Sequence, residues 1–387
     1  MVSGPLDGVK VLDFSTVGPA ARCSRILADY GADVIKIAAP AKDAKQITPK
    51  FFAYSGHRGM RRVEIDLKTD AGLAAFMRLA ESADVIVESF RPGVVTSLGI
   101  GYDDTRGRNP RIVYVSTSGY GQSGPASQRA GHDIDYLAAG GYLHTSGRGE
   151  RGAPALPGAT IADAAAGGMQ AALAICAALY ERERTGDGAY LDVSVAEGVL
   201  WLMSLYVDEH LATGVAAGPG HDVLTGRYAC YDVYEAADGC WLAVGAIEAK
   251  FFANLCRALG LDSLAAAQYD DARQDEIRSA LADAFRARDR DDWITELADA
   301  DTCVAPVNTV AELAADAHFV ERGAFVEAKH ADAGTFRQLG AVLAGQPRPA
   351  EPVEVRDATV IDSDAVLGES GFSMAEIAAL KDEGVIA

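Results

Sequence analysis

VKVLDFSTVGPAARCSRILADYGADVIKI, residues 9–37, is the stretch whose order of elements decides the fold. Residues 9–14 form a short apolar run that reads as a buried strand. Ser15-Thr16-Val17-Gly18-Pro19 turns the chain, a helical pattern runs from Ala20 to Tyr30, and Gly31 ends it. Residues 33–37 supply a second strand. Strand, helix and strand in this order make a unit whose two strands lie parallel, joined by a right-handed crossover.

The alternation continues outward from that unit. Strands are expected over residues 62–67, 85–88 and 111–117, with a helix over 70–82 and the turn Arg91-Pro92-Gly93 between them. The first part of the chain therefore reads as an α/β domain with an open, mostly parallel, doubly wound (Rossmann-like) sheet. A long helix over 163–184 has Asp163 where an N-cap belongs. A strand over 190–194 and a helix over 196–212 follow, and residues 214–220 read as a linker. Beyond it a smaller α+β domain opens on a hairpin, 227–235 and 240–246, around Ala237-Asp238-Gly239. Helical segments reach Ala287 and recur over 291–298 and 311–315, with an extended piece at 303–307 between them. Residues 322–333 and 335–345 read as strands returning to the first domain. Ser373 and Glu376 form a capping box at the start of a helix over 373–383. The expected boundaries are thus 1–213 for the large domain, 226–320 for the small one and 321–387 for the return.

A chain of 387 residues is long enough for two cores. Its 35 lysines and arginines stand against 55 aspartates and glutamates, a formal charge of −20. That balance argues against nucleic acid or an anionic membrane as the main partner, so cations that hold an anionic ligand must be local. The first residues lack the basic-then-apolar order of a secretory signal. The most apolar windows, 171–180 and 199–207, fall short of the roughly 18 residues of a membrane span. Six scattered cysteines without CxxC pairs fit reduced core thiols in a cytoplasmic protein.

Residues 116–136, STSGYGQSGPASQRAGHDIDY, are non-periodic and follow a strand, the place where α/β proteins put their chemistry. Gly119, Gly121 and Gly124 match GxGxxG. Pro125 and Gln128-Arg129-Ala130-Gly131 stand where a helix should open, however, so no helix N-terminus is offered to a pyrophosphate. There is no P-loop lysine motif and no histidine pair at metal-ligand spacing; no metal site is expected. What remains is His132, Asp133, Asp163 and Glu248 in glycine-rich contexts. Each has a plain alternative: a structural histidine, a helix cap, a surface charge. Arg58, Arg61, Arg62, Lys68 and Arg91 form a basic cluster that reads either as a solvated face or as a local attraction for a phosphate-bearing carrier.

Taken together, PLDGVKVLDFS, ADYGADVIKI, VEIDLKTDAG, ESFRPGVVTSLGIGYD, NPRIVYVSTSGYGQSGP, GHDIDYLAAGG, the ADAAAGGMQAALAICAALYERERTGDGAYLDVS block, CVAPVN and GFSMAEIAALKDEGVI resemble a family III CoA-transferase of the CaiB/BaiF type. Within that group GHDI and GAIEAKFF are most similar to the α-methylacyl-CoA racemases. The resemblance implies an isomerase that inverts the α-carbon of a 2-methylacyl-CoA thioester, with His132 and Asp163 as opposed acid/bases. It also implies Glu248 on the far nitrogen of His132 and the Asp133 N–H near the enolate oxygen. The alternative it carries is a CoA-transferase in which Asp163 is the nucleophile. No cofactor is required beyond the coenzyme A carried by the acyl-CoA substrate, and an interlocked homodimer is expected. Ile65 and Lys68 are implied near the adenine, with Ser89, Phe90, Arg91 and Arg58 along the pantetheine and phosphates. His57, Met60 and Ala39 depart from the family's usual asparagine, lysine and arginine. The acyl group is not legible in the sequence.

Overall fold

The computed structural model describes residues 4–40, 49–149, 151–346 and 351–387. The opening βαβ unit forms as expected: β1 (Lys10–Asp13), α1 (Gly18–Asp29) and β2 (Asp33–Ala38), with β1 and β2 parallel. Strands β3 (Arg61–Glu64), β4 (Val85–Glu88), β5 (Val113–Ser118) and β6 (Ala189–Ser194) complete a six-stranded parallel sheet in the order β3-β2-β1-β4-β5-β6. The order reverses between β1 and β4, which makes this a doubly wound sheet with its switch point there.

Both faces of the sheet are covered, and the side-chain period of two sorts them. Leu12, Ile35, Ile86 and Tyr114 face helix α2 (Asp70–Glu81) through Phe76 and Leu79. On the same face lie Val366, Leu367, Ile377 and Ile386 from far along the chain. Val11, Val34, Val85, Val87, Val113 and Val115 face α1 and the helix that begins at Ala162. At the carboxyl ends of β1 and β2, Lys36 Nζ lies 2.7 Å from Asp13 Oδ2 with both residues buried. Ser15 completes the pair, its N–H donating to Asp13 Oδ1 at 2.6 Å and its hydroxyl accepting from Lys36 Nζ at 3.1 Å. Breaking one side of such a buried, hydrogen-bonded pair is costly.

The chain divides into two compact units. The first comprises Met1–Gly140, Pro157–Ser204 and His318–Ala387, and the second Gly141–Leu156 and Leu205–Ala317. The passage between them thus falls at Ser204–Leu205, ahead of the linker at 214–220, and a short excursion at 141–156 joins the second unit. In that unit β7 (Tyr231–Glu235) and β8 (Trp241–Gly245) make the expected antiparallel hairpin, to which β9 (Val304–Pro306) adds a third strand. Its core gathers Tyr234, Leu242, Val244, Phe252, Leu281, Phe285 and Trp293. In the first unit the returning hairpin, β10 (Phe325–His330) and β11 (Gly334–Leu339), pairs with β12 (Val353–Glu354) as a separate small sheet.

Two expectations need correction. Of the six cysteines, Cys23, Cys230 and Cys256 are buried, but Cys176 and Cys303 are exposed; all are free thiols. The helix Ala162–Thr185 is long and apolar enough, by length and composition alone, to cross a membrane, which the apolar windows do not suggest; half of that window is buried inside the protein.

Candidate active site

The loops leaving β4 and β5 meet on the carboxyl side of the sheet, next to the strand reversal, where open α/β sheets bind ligands. They enclose a cleft of about 390 Å³ lined by Ser89, Phe90 and Arg91 from one loop and by Ser118, Gly119, Arg129, His132 and Tyr136 from the other. Residues assigned separately to coenzyme A and to proton transfer therefore share one wall. Gln128 Nε2 ties the loops together by donating to Pro92 O at 3.2 Å. Ser118 Oγ is buried without a hydrogen-bond partner among the described residues. Glu88, which sequence reading overlooks, is 1% exposed at the end of β4, and its Oε2 accepts the Phe90 N–H at 2.7 Å. Burial pushes its carboxyl up to about 7, against the opposing pull of the Ser116 hydroxyl and the Phe90 N–H.

His132 caps the short helix α3 (Asp133–Ala139) with its backbone. Its N–H donates to Asp135 Oδ2 at 2.9 Å, and its carbonyl accepts from the Asp135 N–H at 2.8 Å. The imidazole makes no cap hydrogen bond and is exposed at the cleft. Tyr136 wedges the loop that carries it. A Cβ at Gly119 would lie 2.3 Å from the Tyr136 ring, so only glycine fits there, and the phenol donates to Gly131 O at 2.5 Å. Burial, then the charge of Asp163, pushes this phenol up to about 12.

Asp163 is not the N-cap that sequence reading expects. Residues Ala162–Met169 form a π-helix that leads into an α-helix over Gln170–Thr185; together they are α4, and the cap position is Ile161. A π-helical turn inside a longer helix is a frequent mark of a functional site. The Asp163 N–H is instead satisfied by Asp133 Oδ1 at 2.8 Å. Asp133 thus performs the capping from another element, and the Asp163 carboxylate is released from it. Asp163 is half-buried, and its carboxyl is raised by that burial and by Asp133, while Arg22 and His132 pull it down. This chain of contacts links His132 to Asp163 through the residue that follows His132. Asp163 itself does not line the cleft.

Glu248 lies in the second unit, exposed, at the N-cap of α5 (Ala249–Ala258) without capping it through its side chain. The turn before it is pinned by Gln268 Nε2, which donates to Ala246 O at 3.0 Å and Ile247 O at 2.6 Å. The other coenzyme A assignments meet a different structure. Ile65 is fully buried in the core, bridged to Ile386. Arg58 donates to Asp29 at 3.2 Å and to Leu339 O at 3.0 Å. Arg61 is held by Asp33 and Glu369, and Arg62 by Glu64. Lys68, Ser89 and Arg91 are exposed. Arg58, Arg61 and Arg62 are therefore each paired with a carboxylate, near or distant in sequence, while Lys68 and Arg91 remain exposed.

The fold and site are those of a known class of enzyme. The family model described as CoA-transferase family III matches residues 6–356, and the chain belongs to that family. It is 35% identical over 384 residues to the α-methylacyl-CoA racemase of Homo sapiens, covering 98% of this chain and 97% of that protein. It is 30% identical over 352 residues to the succinyl-CoA–D-citramalate CoA-transferase of Chloroflexus aurantiacus, with 87% of each covered. A crystal structure of a CaiB/BaiF family protein from Brucella suis superposes with a TM-score of 0.77 at 26% identity, covering 95% of this chain and all of that one.

Proposed function

We propose that the protein is an isomerase that inverts the α-carbon of a 2-methylacyl-CoA thioester. The observation that carries this reading is the link from His132 through Asp133 to Asp163, which leaves an imidazole and a carboxylate free of structural duties on neighbouring elements. Full-length similarity to a racemase supports the same choice within a family that also holds transferases.

Inverting such a centre means removing a proton from one face and delivering one to the other. His132 takes the α-proton of one epimer, the electron pair moves into the thioester carbonyl as an enolate, and Asp163 in its protonated form supplies a proton to the opposite face. In the reverse direction the roles exchange. The raised carboxyl of Asp163 suits this exchange, since a group that works in both forms needs a proton affinity nearer the working pH. The Asp133 N–H, first in α3, stabilises the developing oxyanion. Arg91, Ser89 and Phe90 hold the coenzyme A portion along the cleft, with Lys68 and Arg58 further out, and two copies of the chain form an interlocked homodimer.

The test is to incubate one epimer of a 2-methylacyl-CoA in deuterated water. Loss of the α-proton with formation of the other epimer is the expected result. No exchange, with coenzyme A instead passing to a free acid acceptor, would replace this reading with a transferase in which Asp163 is the nucleophile.

A further inference from the structure

Helix α1 carries a side chain past the reacting carboxylate. A Cβ on Gly168 would stand 2.5 Å from the Cβ of Arg22, so the base of the arginine lies directly against the turn that ends one π-helical repeat after Asp163. At its other end Arg22 Nη2 reaches Thr160 Oγ1 at 3.4 Å, three residues before Asp163. The guanidinium carbon also stands 4.8 Å from the centre of the Phe52 ring. The side chain therefore runs along the helix from Gly168 to Thr160, with Asp163 between the two contacts. Its neighbour Arg25, by contrast, is committed to Asp29 at 2.7 Å.

We propose that Arg22 is a positioning residue of the active site, a fixed cation that sets the pH at which the Asp163 carboxylate exchanges its proton. The assignment rests on the reading of Asp163 as an acid/base. Asp133 and His132 at the start of α3 and Arg22 from α1 act on that carboxylate through their charges, and Tyr136 further along α3 feels its charge in turn. Burial and Asp133 favour the protonated form and narrow the pH range in which Asp163 is ionised. Arg22 and His132 favour the ionised form. His132 gains and loses its charge during turnover, whereas the guanidinium of Arg22 opposes Asp133 at every stage.

The experiment uses the full chain with Arg22→Met, which keeps an unbranched stem against Gly168 without the charge, and Arg22→Lys, which keeps both. A water-soluble carbodiimide with an amine nucleophile modifies protonated carboxyls, and peptide mass spectrometry reads Asp163 across the pH range without any substrate. The methionine variant is expected to stay reactive to higher pH, with roughly three- to tenfold more labelling of Asp163 in the middle of the range, as follows from removing one adjacent opposite charge. The lysine variant should follow the parent protein. Coincident curves for the methionine variant and the parent would overturn the proposal, as would a lysine variant that behaves like methionine. Deuterium exchange run in parallel separates the two readings: a displaced labelling curve in a protein that never exchanges the α-proton leaves Arg22 assigned and defeats the isomerase.

Discussion

His132 and Asp163 are held in opposite ways. His132 ends a fourteen-residue irregular loop, exposed, its backbone fixed by Asp135 and by Tyr136 wedged against Gly119 while the ring stays free. Asp163 sits half-buried in a helical turn whose geometry is dictated by packing against α1. One group is placed by local chain chemistry and stays in contact with solvent. The other is placed by tertiary packing and feels burial. The difference teaches that tertiary packing can shift a group which local chain chemistry would leave alone: the Asp163 carboxyl is pushed up by its surroundings.

The largest effect expected falls on the chemistry. His132→Ala and Asp163→Ala should each lower α-proton exchange by about 10²–10⁴-fold, the usual contribution of a positioned acid/base. Unequal losses, with transfer activity retained in the histidine variant alone, would break the symmetry of roles. Next comes Glu88 behind the loop on the His132 side. Its folded-state proton affinity lies at about 7, above the ordinary 4.5, so the folded form binds the extra proton in between. Stability should therefore fall as pH rises through that window, by up to about 3 kcal/mol, and Glu88→Gln should flatten the dependence. Melting temperatures across pH, parent against variant, check it; parallel curves would show that Glu88 does not titrate there. The smallest effect concerns the Asp163 side. Helix propensity alone makes Gly168→Ala stabilising by about 1 kcal/mol, whereas the close approach of Arg22 Cβ and Pro19 O makes it destabilising by about 1–3 kcal/mol. Denaturant unfolding gives the sign, and a stabilised variant would mean that packing does not set this turn.

Much of the scaffold is legible because it is local. The βαβ unit, the hairpin at Asp238-Gly239 and the Ser373–Glu376 capping box all declare themselves within a few residues, and each forms. The site is legible only as a set of residue types. Asp163 looks like a cap because an aspartate before an alanine-rich helix usually is one; that Asp133 takes over this duty depends on the fold bringing residues thirty apart together. The basic cluster reads either as a solvated face or as an attraction for a phosphate-bearing carrier because a partner of Arg61, Glu369, lies more than three hundred residues on. Ile65 shows the same limit. It is bridged to Ile386, from the far end of the described chain, and packs in the same core cluster.

That last pairing bears on how the protein is made. The six strands of the sheet all lie before residue 195, yet Val366, Leu367, Ile377 and Ile386 are needed to close one of its faces. A nascent chain must therefore carry an incompletely covered apolar sheet through the synthesis of the whole second unit. Native closure of this face waits for the synthesis of these residues, and until then the sheet is a natural client for a chaperone.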